Sequence, residues 1–364
     1  MTTTNILYDH QAFEMQRFGG ISRYFYELRR HLSLGTELSL AVSTNYYLHA
    51  DPETRRESGL YLPERPYKWF KGWEKRWNRS VSLRALTRGD FRVFHPTYYN
   101  PYFLPHLGGK PYVITVHDMT HELFPQYFGN AALMKAWKAE TIRHASRIIA
   151  ISEHTKRDIV RLLAIPPERI DVVYHGSSAI RSDYAGLALP DEYLLFVGDR
   201  HGYKNFDRFL LAFRELASER RDLYLLCVGK TFKKKEIERI AELGLTARVR
   251  QYTVSDAALS QLYRQTAVFV YPSLYEGFGF PILEAYTNEC PVALSRASCF
   301  PEIAGEAGAY FDPLSSESMA ATIRRVLDDS DYRSHLIALG QKRLPRYTWA
   351  ETARQTEAVY ASLR

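Results

Sequence analysis

Residues 271–284, with the sequence YPSLYEGFGFPILE, constrain the fold of this chain more than any other segment. An apolar run over residues 268–271 suits a buried strand of a parallel sheet. Gly277 and Gly279 then allow loop conformations that are closed to other residues, and Pro281 favours the first turn of a helix. The segment therefore predicts a strand, a loop and a helix, in that order.

Two carboxylates in this segment suggest a site that binds hydroxyl groups. Ligands of open parallel sheets bind beyond the carboxyl ends of the strands, where the amino terminus of a helix also offers N–H groups to phosphate. Glu276 lies in the predicted loop and Glu284 in the predicted helix, so both side chains can face one site. The ordinary interpretation is that Glu276 caps the helix and Glu284 is solvated.

The run from Glu276 to Glu284, EGFGFPILE, closely resembles the E-x7-E signature of the family 4 retaining glycosyltransferases. The resemblance implies an α/β protein of the GT-B fold, with two facing Rossmann-like domains, a cleft between them and a C-terminal helix that crosses back to the first domain. It also implies that Glu276 holds the transferred sugar and that Glu284 binds the ribose. The other donor-binding candidates of the segment are Gly277, Phe278, Gly279, Phe280, Ile282 and Leu283.

The length of 364 residues predicts two domains of ordinary size. Residues 174–190 are loosely patterned, and a regular alternation of strands and helices restarts after them, so the linker is expected there. We assign residues 1–175, completed by a helix over 348–364, to an N-terminal Rossmann-like acceptor domain. Residues 176–347 form the C-terminal Rossmann-like nucleotide-sugar donor domain, and both roles follow from the resemblance.

Gly19, Gly20 and His117 are the site candidates of the first domain. Paired glycines that open a helix are ordinarily a tight turn, but they also let a backbone approach a phosphate. In the family that the chain resembles, the corresponding loop reaches toward the donor diphosphate. A histidine directly after a strand is ordinarily structural, whereas the resemblance places His117 near the 6-hydroxyl of the transferred sugar.

Arg200 and Lys204 lie in a glycine-containing turn at the start of a predicted helix. Two solvated cations are common, yet this position suits a diphosphate, which Arg grips as a fork and Lys as a point charge. The turn resembles the cation-bearing turn of the family, although Tyr203 stands where many members carry a further Arg. The resemblance also places the nucleotide base near residues 228–230 and 252–254.

The formal net charge of +7 fits an anionic diphosphate, an anionic membrane face or nucleic acid, and does not choose among them. No apolar stretch is long enough to span a membrane. We expect a cytoplasmic protein, with the inner face of the cell membrane as a second location, that uses no cofactor or metal and binds no nucleic acid. The three cysteines are expected to be buried thiols, and Asp331 to cap a helix rather than bind magnesium.

Trp69, Trp73 and Trp77 recur every four residues among lysines and arginines, within an insertion over residues 45–90. One interpretation is a helix that packs its tryptophans on the domain core. The other is an interfacial helix that meets an anionic membrane or a lipid-linked acceptor. The sequence leaves both open.

The resemblance implies a retaining hexosyltransferase. By resemblance, it moves a hexosyl group from a nucleotide diphosphate sugar to a hydroxyl of a glycan or lipid-linked acceptor, in bacterial surface polysaccharide synthesis such as that of lipopolysaccharide. GDP-mannose is the first expectation for the donor, followed by UDP-glucose and UDP-N-acetylglucosamine. The alternatives are a sugar-nucleotide epimerase of the same architecture and a non-catalytic nucleotide-binding or membrane-scaffold module.

Overall fold

The computed structural model describes residues 4–15, 17–52, 59–61, 64–179, 181–200 and 202–363. The chain divides into two compact units: unit 1 comprises Met1–Gly176 with Thr348–Arg364, and unit 2 comprises Ser177–Tyr347. Each unit contains parallel strands with helices between them, so the prediction of an α/β protein with two Rossmann-like domains is confirmed.

Unit 1 contains two three-stranded sheets and a separate pair of two-residue strands. Its strands are β1 (Thr4–Tyr8), β2 (Thr36–Leu38), β3 (Val42–Ser43), β4 (Leu60–Tyr61), β5 (Phe91–His95), β6 (Val113–Val116), β7 (Arg147–Ala150) and β8 (Ile170–Val172). The sheet orders are β2-β1-β5 and β6-β7-β8, and a bridge between Phe94 and Tyr112 links the two sheets. The pairs within both sheets are parallel, so the carboxyl ends of the strands of each sheet share one edge.

Several helices of unit 1 bury apolar faces. They are α1 (Gln11–Met15), α2 (Gly20–His31), α3 (Tyr46–Ala50), α4 (Glu64–Arg88), α5 (Thr120–Leu123), α6 (Ala131–His144) and α7 (Glu153–Leu163), with short 3₁₀ helices at Pro101–His106, Pro125–Tyr127 and Pro167–Arg169. In α2, Tyr24, Phe25 and Leu28 are fully buried, as expected for one apolar face of a helix. Ser152 caps α7 by accepting the Thr155 N–H at 3.1 Å.

Two local expectations for unit 1 are wrong. The sequence pattern of residues 37–44 predicts one strand, but these residues form two short strands in different sheets, because the Leu40 N–H bonds back to the Leu38 carbonyl at 3.1 Å and turns the chain. The pattern of the first 34 residues predicts a strand, a single glycine loop and a helix, but a short helix, α1, lies between β1 and the Gly19–Gly20 pair.

Helix α4 is 25 residues long, and two of its tryptophans, Trp73 and Trp77, do not pack on the core. Trp73 is 74% exposed and Trp77 is 49% exposed. The buried side is polar: the Asn78 side-chain oxygen accepts the Val42 N–H at 2.8 Å, and its amide donates to the Val42 carbonyl at 2.9 Å. The core interpretation is therefore wrong for Trp73 and Trp77, while the side chain of Trp69 lies outside the described residues.

Unit 2 is built on one six-stranded parallel sheet. Its strands are β9 (Glu192–Val197), β10 (Leu223–Val228), β11 (Val249–Tyr252), β12 (Val268–Tyr271), β13 (Val292–Ser295) and β14 (Gly308–Phe311). The order β11-β10-β9-β12-β13-β14 runs outward in both directions from the β9–β12 pair. That pair is the topological switch point, where open α/β sheets bind their ligands.

The helices of unit 2 cover this sheet with a continuous apolar core. They are α8 (Phe206–Glu219), α9 (Lys234–Glu242), α10 (Asp256–Gln265), α11 (Phe280–Thr287), α12 (Phe300–Ala304), α13 (Ser316–Asp328) and α14 (Ser330–Arg343), with 3₁₀ turns at Gly202–Lys204, Gly305–Ala307 and Leu344–Arg346. Asp329 caps α14 by accepting the Tyr332 N–H at 2.8 Å. The expectation that Asp331 is the cap is wrong, because Asp331 already lies in the first turn of that helix.

The last helix, α15 (Trp349–Ala361), returns to unit 1. It packs on α2, and the Tyr360 hydroxyl lies 2.7 Å from both the Tyr8 hydroxyl and His95 Nδ1. This buried network ties the end of the chain to β1 and β5. Within the described part of the chain, none of the helices combines the length and apolarity needed to cross a bilayer.

Candidate active site

The candidate site begins at the carboxyl end of β12, where residues 272–279 form a loop before α11. Gly279 adopts φ +101°, and a Cβ atom there would lie 3.1 Å from Ile282 and 3.3 Å from Phe300. A side chain at this position would therefore be strained. Pro281 lies in the first turn of α11, so the predicted order of strand, loop and helix is confirmed.

Lys204 and Glu276 form an ion pair at the switch point, with the lysine Nζ donating to Oε1 at 2.6 Å. Their side chains are only 17% and 13% exposed. Burial disfavours the charge of Lys204, but the adjacent Glu276 carboxylate outweighs it and raises the lysine pKa. Two residues predicted to hold neighbouring parts of one ligand are thus in direct contact.

Further hydrogen bonds fix the Lys204 turn against the Glu276 loop. The Leu274 N–H donates to the Tyr203 carbonyl at 2.8 Å. The Asn205 amide donates to the Pro272 carbonyl at 3.0 Å. The β9–β12 pairing brings the two segments together, since each follows the carboxyl end of one of these strands.

Glu284 lies in α11 and accepts a hydrogen bond from the Tyr263 hydroxyl at 3.1 Å. Tyr263 belongs to α10 and is buried. Burial and then the Glu284 carboxylate raise the pKa of Tyr263 well above its usual value, so the phenol remains a donor. The Glu284 side chain is partly exposed, which leaves it accessible to a ligand.

The remaining donor-binding candidates of the segment are mostly packed into unit 2. Phe278, Ile282 and Leu283 have buried side chains, and the rings of Phe278 and Phe280 meet edge to face at 5.5 Å. Gly277 is buried as well. Ligand contacts from these positions would therefore come mainly from backbone groups at the start of α11.

Arg200 has a different environment from Lys204. Its side chain is only 2% exposed, donates to Glu236 at 3.3 Å and to the Lys230 and Thr231 carbonyls, and lies 4.7 Å from the Phe232 ring. Its Nη1 is buried and has no hydrogen-bond partner among the described residues. Arg200 thus braces the loop after β10, and the neighbouring His201 lies outside the described residues.

The ends of β9, β10 and β11 meet closely at the edge that the resemblance assigns to the nucleotide base. A Cβ atom on Gly229 would lie 2.7 Å from the Gly198 carbonyl oxygen, so the two backbones can approach only with glycine there. The Gly229 carbonyl accepts hydrogen bonds from Gln251 at 2.8 Å and Thr253 at 3.0 Å. Residues 228–230 and 252–254 are thus neighbours.

The glycine pair of unit 1 has the bonds of a helix start. Gly19 is the N-cap of α2, and its carbonyl accepts the Arg23 N–H at 3.0 Å and the Ser22 hydroxyl at 3.2 Å. Gly20 is the first helical residue. These bonds suit both a tight turn and a backbone that approaches a phosphate, so the donor-binding role of the pair stays a prediction.

His117 follows β6 in unit 1, and the residue is 7% exposed. Burial lowers the pKa of His117 to about 4, so the imidazole is neutral at neutral pH. Its backbone N–H donates to the Tyr99 hydroxyl at 3.0 Å, while the ring atom Nε2 has no partner in the described part of the chain. A neutral imidazole with an unpartnered nitrogen is chemically suited to bind a sugar hydroxyl.

A buried lysine near His117, Lys138, is not among the site residues predicted from the sequence. Lys138 donates to the Asp118 carbonyl at 2.8 Å, to its carboxylate at 3.1 Å and to Glu122 at 3.2 Å. Burial opposes ionisation of Asp118, but Lys138 holds its pKa well below the usual range. The signal was its position on α6 in the buried stripe with Met134 and Thr141.

The side chains of the described residues do not form a cluster that indicates a metal site. Among residues that the structure describes, no group of three or more His, Cys, Asp and Glu side chains could hold a metal ion. Cys227, Cys290 and Cys299 are free and buried, as predicted.

Comparison with known proteins identifies two family models that together match most of the chain. The model described as Glycosyltransferase Family 4 matches residues 18–178, and the model described as Glycosyl transferases group 1 matches residues 183–343.

Two curated relatives align over nearly the whole chain. The protein named O-antigen chain mannosyltransferase B from Escherichia coli is 27% identical, over 94% of this chain and 96% of its own length. The protein named MMP alpha-(1->4)-mannosyltransferase from Mycolicibacterium hassiacum is also 27% identical, over 89% of this chain and 85% of its own length.

Solved structures with the same fold cover the chain almost completely. Sucrose-phosphate synthase from Thermosynechococcus elongatus gives a TM-score of 0.75 at 17% identity, with 98% of both chains covered. Anabaena Alr3699/HepE in complex with UDP and glucose gives 0.75 at 17% identity, covering 99% of this chain and all of the other. WaaG, a glycosyltransferase involved in lipopolysaccharide biosynthesis, gives 0.73 at 16% identity, with 98% and 99% covered.

Proposed function

The chain belongs to glycosyltransferase family 4 and has the GT-B fold, and from that premise we propose that it is a retaining mannosyltransferase. The donor is GDP-mannose, and the acceptor is a hydroxyl of a glycan or lipid-linked glycan in surface polysaccharide synthesis. The names of the two curated relatives support the mannosyl group. The observation that carries the chemistry is the contact between Lys204 and Glu276 at 2.6 Å.

Lys204 is proposed as the principal cation at the leaving diphosphate. Its charge stabilises the negative charge that develops on the phosphate as the bond to the anomeric carbon breaks. The N–H groups at the start of α11 add to this effect, because a helix amino terminus attracts anions. Arg200 contributes to the same clamp through its unpartnered Nη1, and more weakly, because most of its donors hold the loop after β10.

Glu276 is proposed to accept hydrogen bonds from hydroxyls of the transferred sugar, and Glu284 from the ribose. Unit 2 thereby acts as the donor domain. Unit 1 acts as the acceptor domain, and His117 binds the 6-hydroxyl of the sugar through Nε2. Gly19 and Gly20 contribute backbone contacts to the diphosphate.

Retention of configuration is proposed to follow a front-face route. The acceptor oxygen bonds to the anomeric carbon on the face that the diphosphate leaves, and a diphosphate oxygen accepts the proton of the acceptor hydroxyl. This route requires no separate protein base. It does require that Lys204 keep the diphosphate on the reacting face.

A nucleotide screen followed by product analysis tests this proposal. In thermal-shift measurements against GDP, UDP and ADP, a nucleotide at 100 times its Kd stabilises by about 2.7 kcal/mol. GDP is expected to shift the melting temperature most, and transfer from GDP-mannose should give an α-linked product by NMR. Turnover of the donor without acceptor to an isomeric nucleotide sugar would instead identify an epimerase.

We also propose peripheral association with an anionic membrane through the exposed side of α4. The 25 residues of this helix include eight Lys or Arg and two Glu, so it carries +6 of the chain's formal net charge of +7. Trp73 and Trp77 project from it and line a groove of about 440 Å³ with Arg76 and Ser80. Exposed tryptophans among cations favour an anionic lipid surface, where rings insert at the headgroup level and charges attract the lipids.

Vesicle cosedimentation separates this role from a merely solvated helix. The parent protein should bind vesicles that contain phosphatidylglycerol at low salt, and bind pure phosphatidylcholine vesicles much less. Trp73→Glu should abolish binding without lowering the melting temperature, because the side chain is exposed. Leu314→Glu is the matched control, since Leu314 is an exposed apolar residue of unit 2. A parent protein that does not bind anionic vesicles eliminates the membrane role.

A further inference from the structure

Two strained residues contact the loop that carries Glu276. In the described part of the chain, the non-glycine residues with positive φ are Ala164, Asn205, Glu289 and Ser298. This left-handed conformation is disfavoured for residues with a Cβ atom, and it persists where the surrounding structure enforces it. Two of the four therefore coincide with the candidate site.

Ser298 forms hydrogen bonds to the backbone of Glu276 on both sides of its Cα atom. The Ser298 hydroxyl donates to the Glu276 carbonyl at 2.5 Å and accepts the Glu276 N–H at 3.0 Å. Ser298 has φ +56° and lies in the segment between β13 and α12. A single side chain thus fixes the peptide groups before and after Glu276, and through them the direction of the carboxylate.

Asn205 performs a similar task at the start of the loop. It has φ +59°, and its amide donates to the Pro272 carbonyl at 3.0 Å and the Pro313 carbonyl at 2.7 Å. Asn205 is the N-cap of α8, yet its side chain makes no capping bond to that helix. The asparagine side chain, which could cap the helix, instead bonds to the loop that carries Glu276.

We propose that Ser298 and Asn205 are positioning residues that hold the Glu276 loop in its ligand-binding geometry before the donor arrives. Ser298 is the more direct of the two, because it contacts the residue whose side chain faces Lys204. Asparagine is among the residues that tolerate the left-handed conformation, whereas serine is not favoured there. The hydroxyl is therefore the feature that the site requires at position 298. This inference rests on the role proposed for Glu276.

Ser298→Gly and Ser298→Ala separate the hydroxyl from the backbone strain. Both variants lose the two hydrogen bonds to Glu276, while glycine also relieves the strain and keeps the variant folded. Both should lower kcat at least tenfold while free GDP affinity changes less than twofold, because the nucleotide contacts remain. Glu289→Gly is the matched control: it relieves equal strain in unit 2 at a residue bonded to Arg181, and should keep parental kcat.

A second measurement does not depend on the identity of the donor. The melting temperatures of Lys204→Met, Glu276→Gln and the double variant give the coupling between the two side chains. That coupling should be clear in the parent background and disappear in the Ser298→Gly background, because the carboxylate is no longer aimed at Lys204.

The two measurements distinguish failure of this inference from failure of the proposed donor. Parental kcat in a folded Ser298→Gly enzyme, or unchanged coupling between Lys204 and Glu276 in that background, overturns the positioning role. Absence of mannosyl transfer in the parent with loss of coupling in Ser298→Gly overturns only the donor and leaves the positioning role supported.

Discussion

Replacement of Lys204 by methionine tests the central contact of the site. Methionine keeps most of the aliphatic stem and removes the charge, so packing changes little. Loss of one preorganised electrostatic donor costs about 2 to 4 kcal/mol of transition-state stabilisation. Because each 1.36 kcal/mol is tenfold in rate, kcat/KM should fall about 30-fold to 1,000-fold.

The same change should also lower stability. Breaking a fully buried ion pair costs about 3 to 5 kcal/mol, whereas an exposed pair contributes at most about 1 kcal/mol. The Lys204 and Glu276 side chains are 17% and 13% exposed, so we expect a loss of about 2 to 3 kcal/mol. At about 2 to 4 °C per kcal/mol, the melting temperature should fall by about 4 to 12 °C.

The double variant Lys204→Met/Glu276→Gln separates the two effects. It leaves no unpaired carboxylate, so the melting temperature should recover most of its loss. Activity should not recover, because both proposed ligand contacts are absent. The assays are differential scanning fluorimetry and initial rates with GDP-mannose. A folded Lys204→Met enzyme with near-parental kcat/KM would refute the assigned role, and a double variant as unstable as Lys204→Met would refute the stability argument.

Three further predictions concern single groups. Glu276→Gln should lower kcat more than it weakens GDP binding, whereas Glu284→Gln should mainly weaken GDP; equal defects in both quantities for Glu276→Gln would contradict this division. Tyr263→Phe removes the hydroxyl that orients Glu284, so it should raise the Kd of free GDP about tenfold with little change in kcat, measured by calorimetry. His117 has a pKa of about 4 in the folded state, below its unfolded value of about 6.5, so the unfolded state binds more protons between those pH values and stability falls as pH decreases. In urea unfolding, the contribution of His117 to the free energy of unfolding should be about 2 kcal/mol smaller at pH 5 than at pH 7.5. His117→Gln should remove that part of the pH dependence.

The elements of unit 2 were predictable because their sequence pattern is simple. Strands of a parallel sheet covered on both faces appear as continuous apolar runs. Residues 223–228 and 268–271 are such runs, and the strands β10 and β12 coincide with them for that reason. The strand predicted over residues 37–44, ELSLAVST, is wrong because a turn at Leu40 divides the segment, and no glycine or proline marks the turn.

The exposed side of α4 could not be predicted from its pattern of tryptophans. Helical spacing shows that Trp73 and Trp77 share a face, but it does not show which face is buried. The answer depends on Asn78, whose hydrogen bonds to the backbone of β3 dock the polar side of the helix. Such contacts form between segments far apart in the chain and leave no periodic signal.

Side-chain partners in the site were likewise only partly predictable. The family resemblance selected Lys204 and Glu276, but their contact across 72 positions follows from the pairing of β9 with β12. Arg200 lies only four residues from Lys204, yet its guanidinium faces the loop after β10. Ser298 carried no signal at all, because its importance lies in two hydrogen bonds to the backbone of Glu276.

The ion pair between Lys204 and Glu276 links the residue proposed to bind the diphosphate with the residue proposed to bind the sugar. Each of the two charges is balanced by the other at 2.6 Å in this partly buried site. On the proposed function, a bound diphosphate would bring a second anion to Lys204, so that Glu276 could accept hydrogen bonds from the sugar hydroxyls. We therefore expect nucleotide and sugar recognition to be coupled, with Ser298 keeping the carboxylate in place when its lysine partner turns to the phosphate.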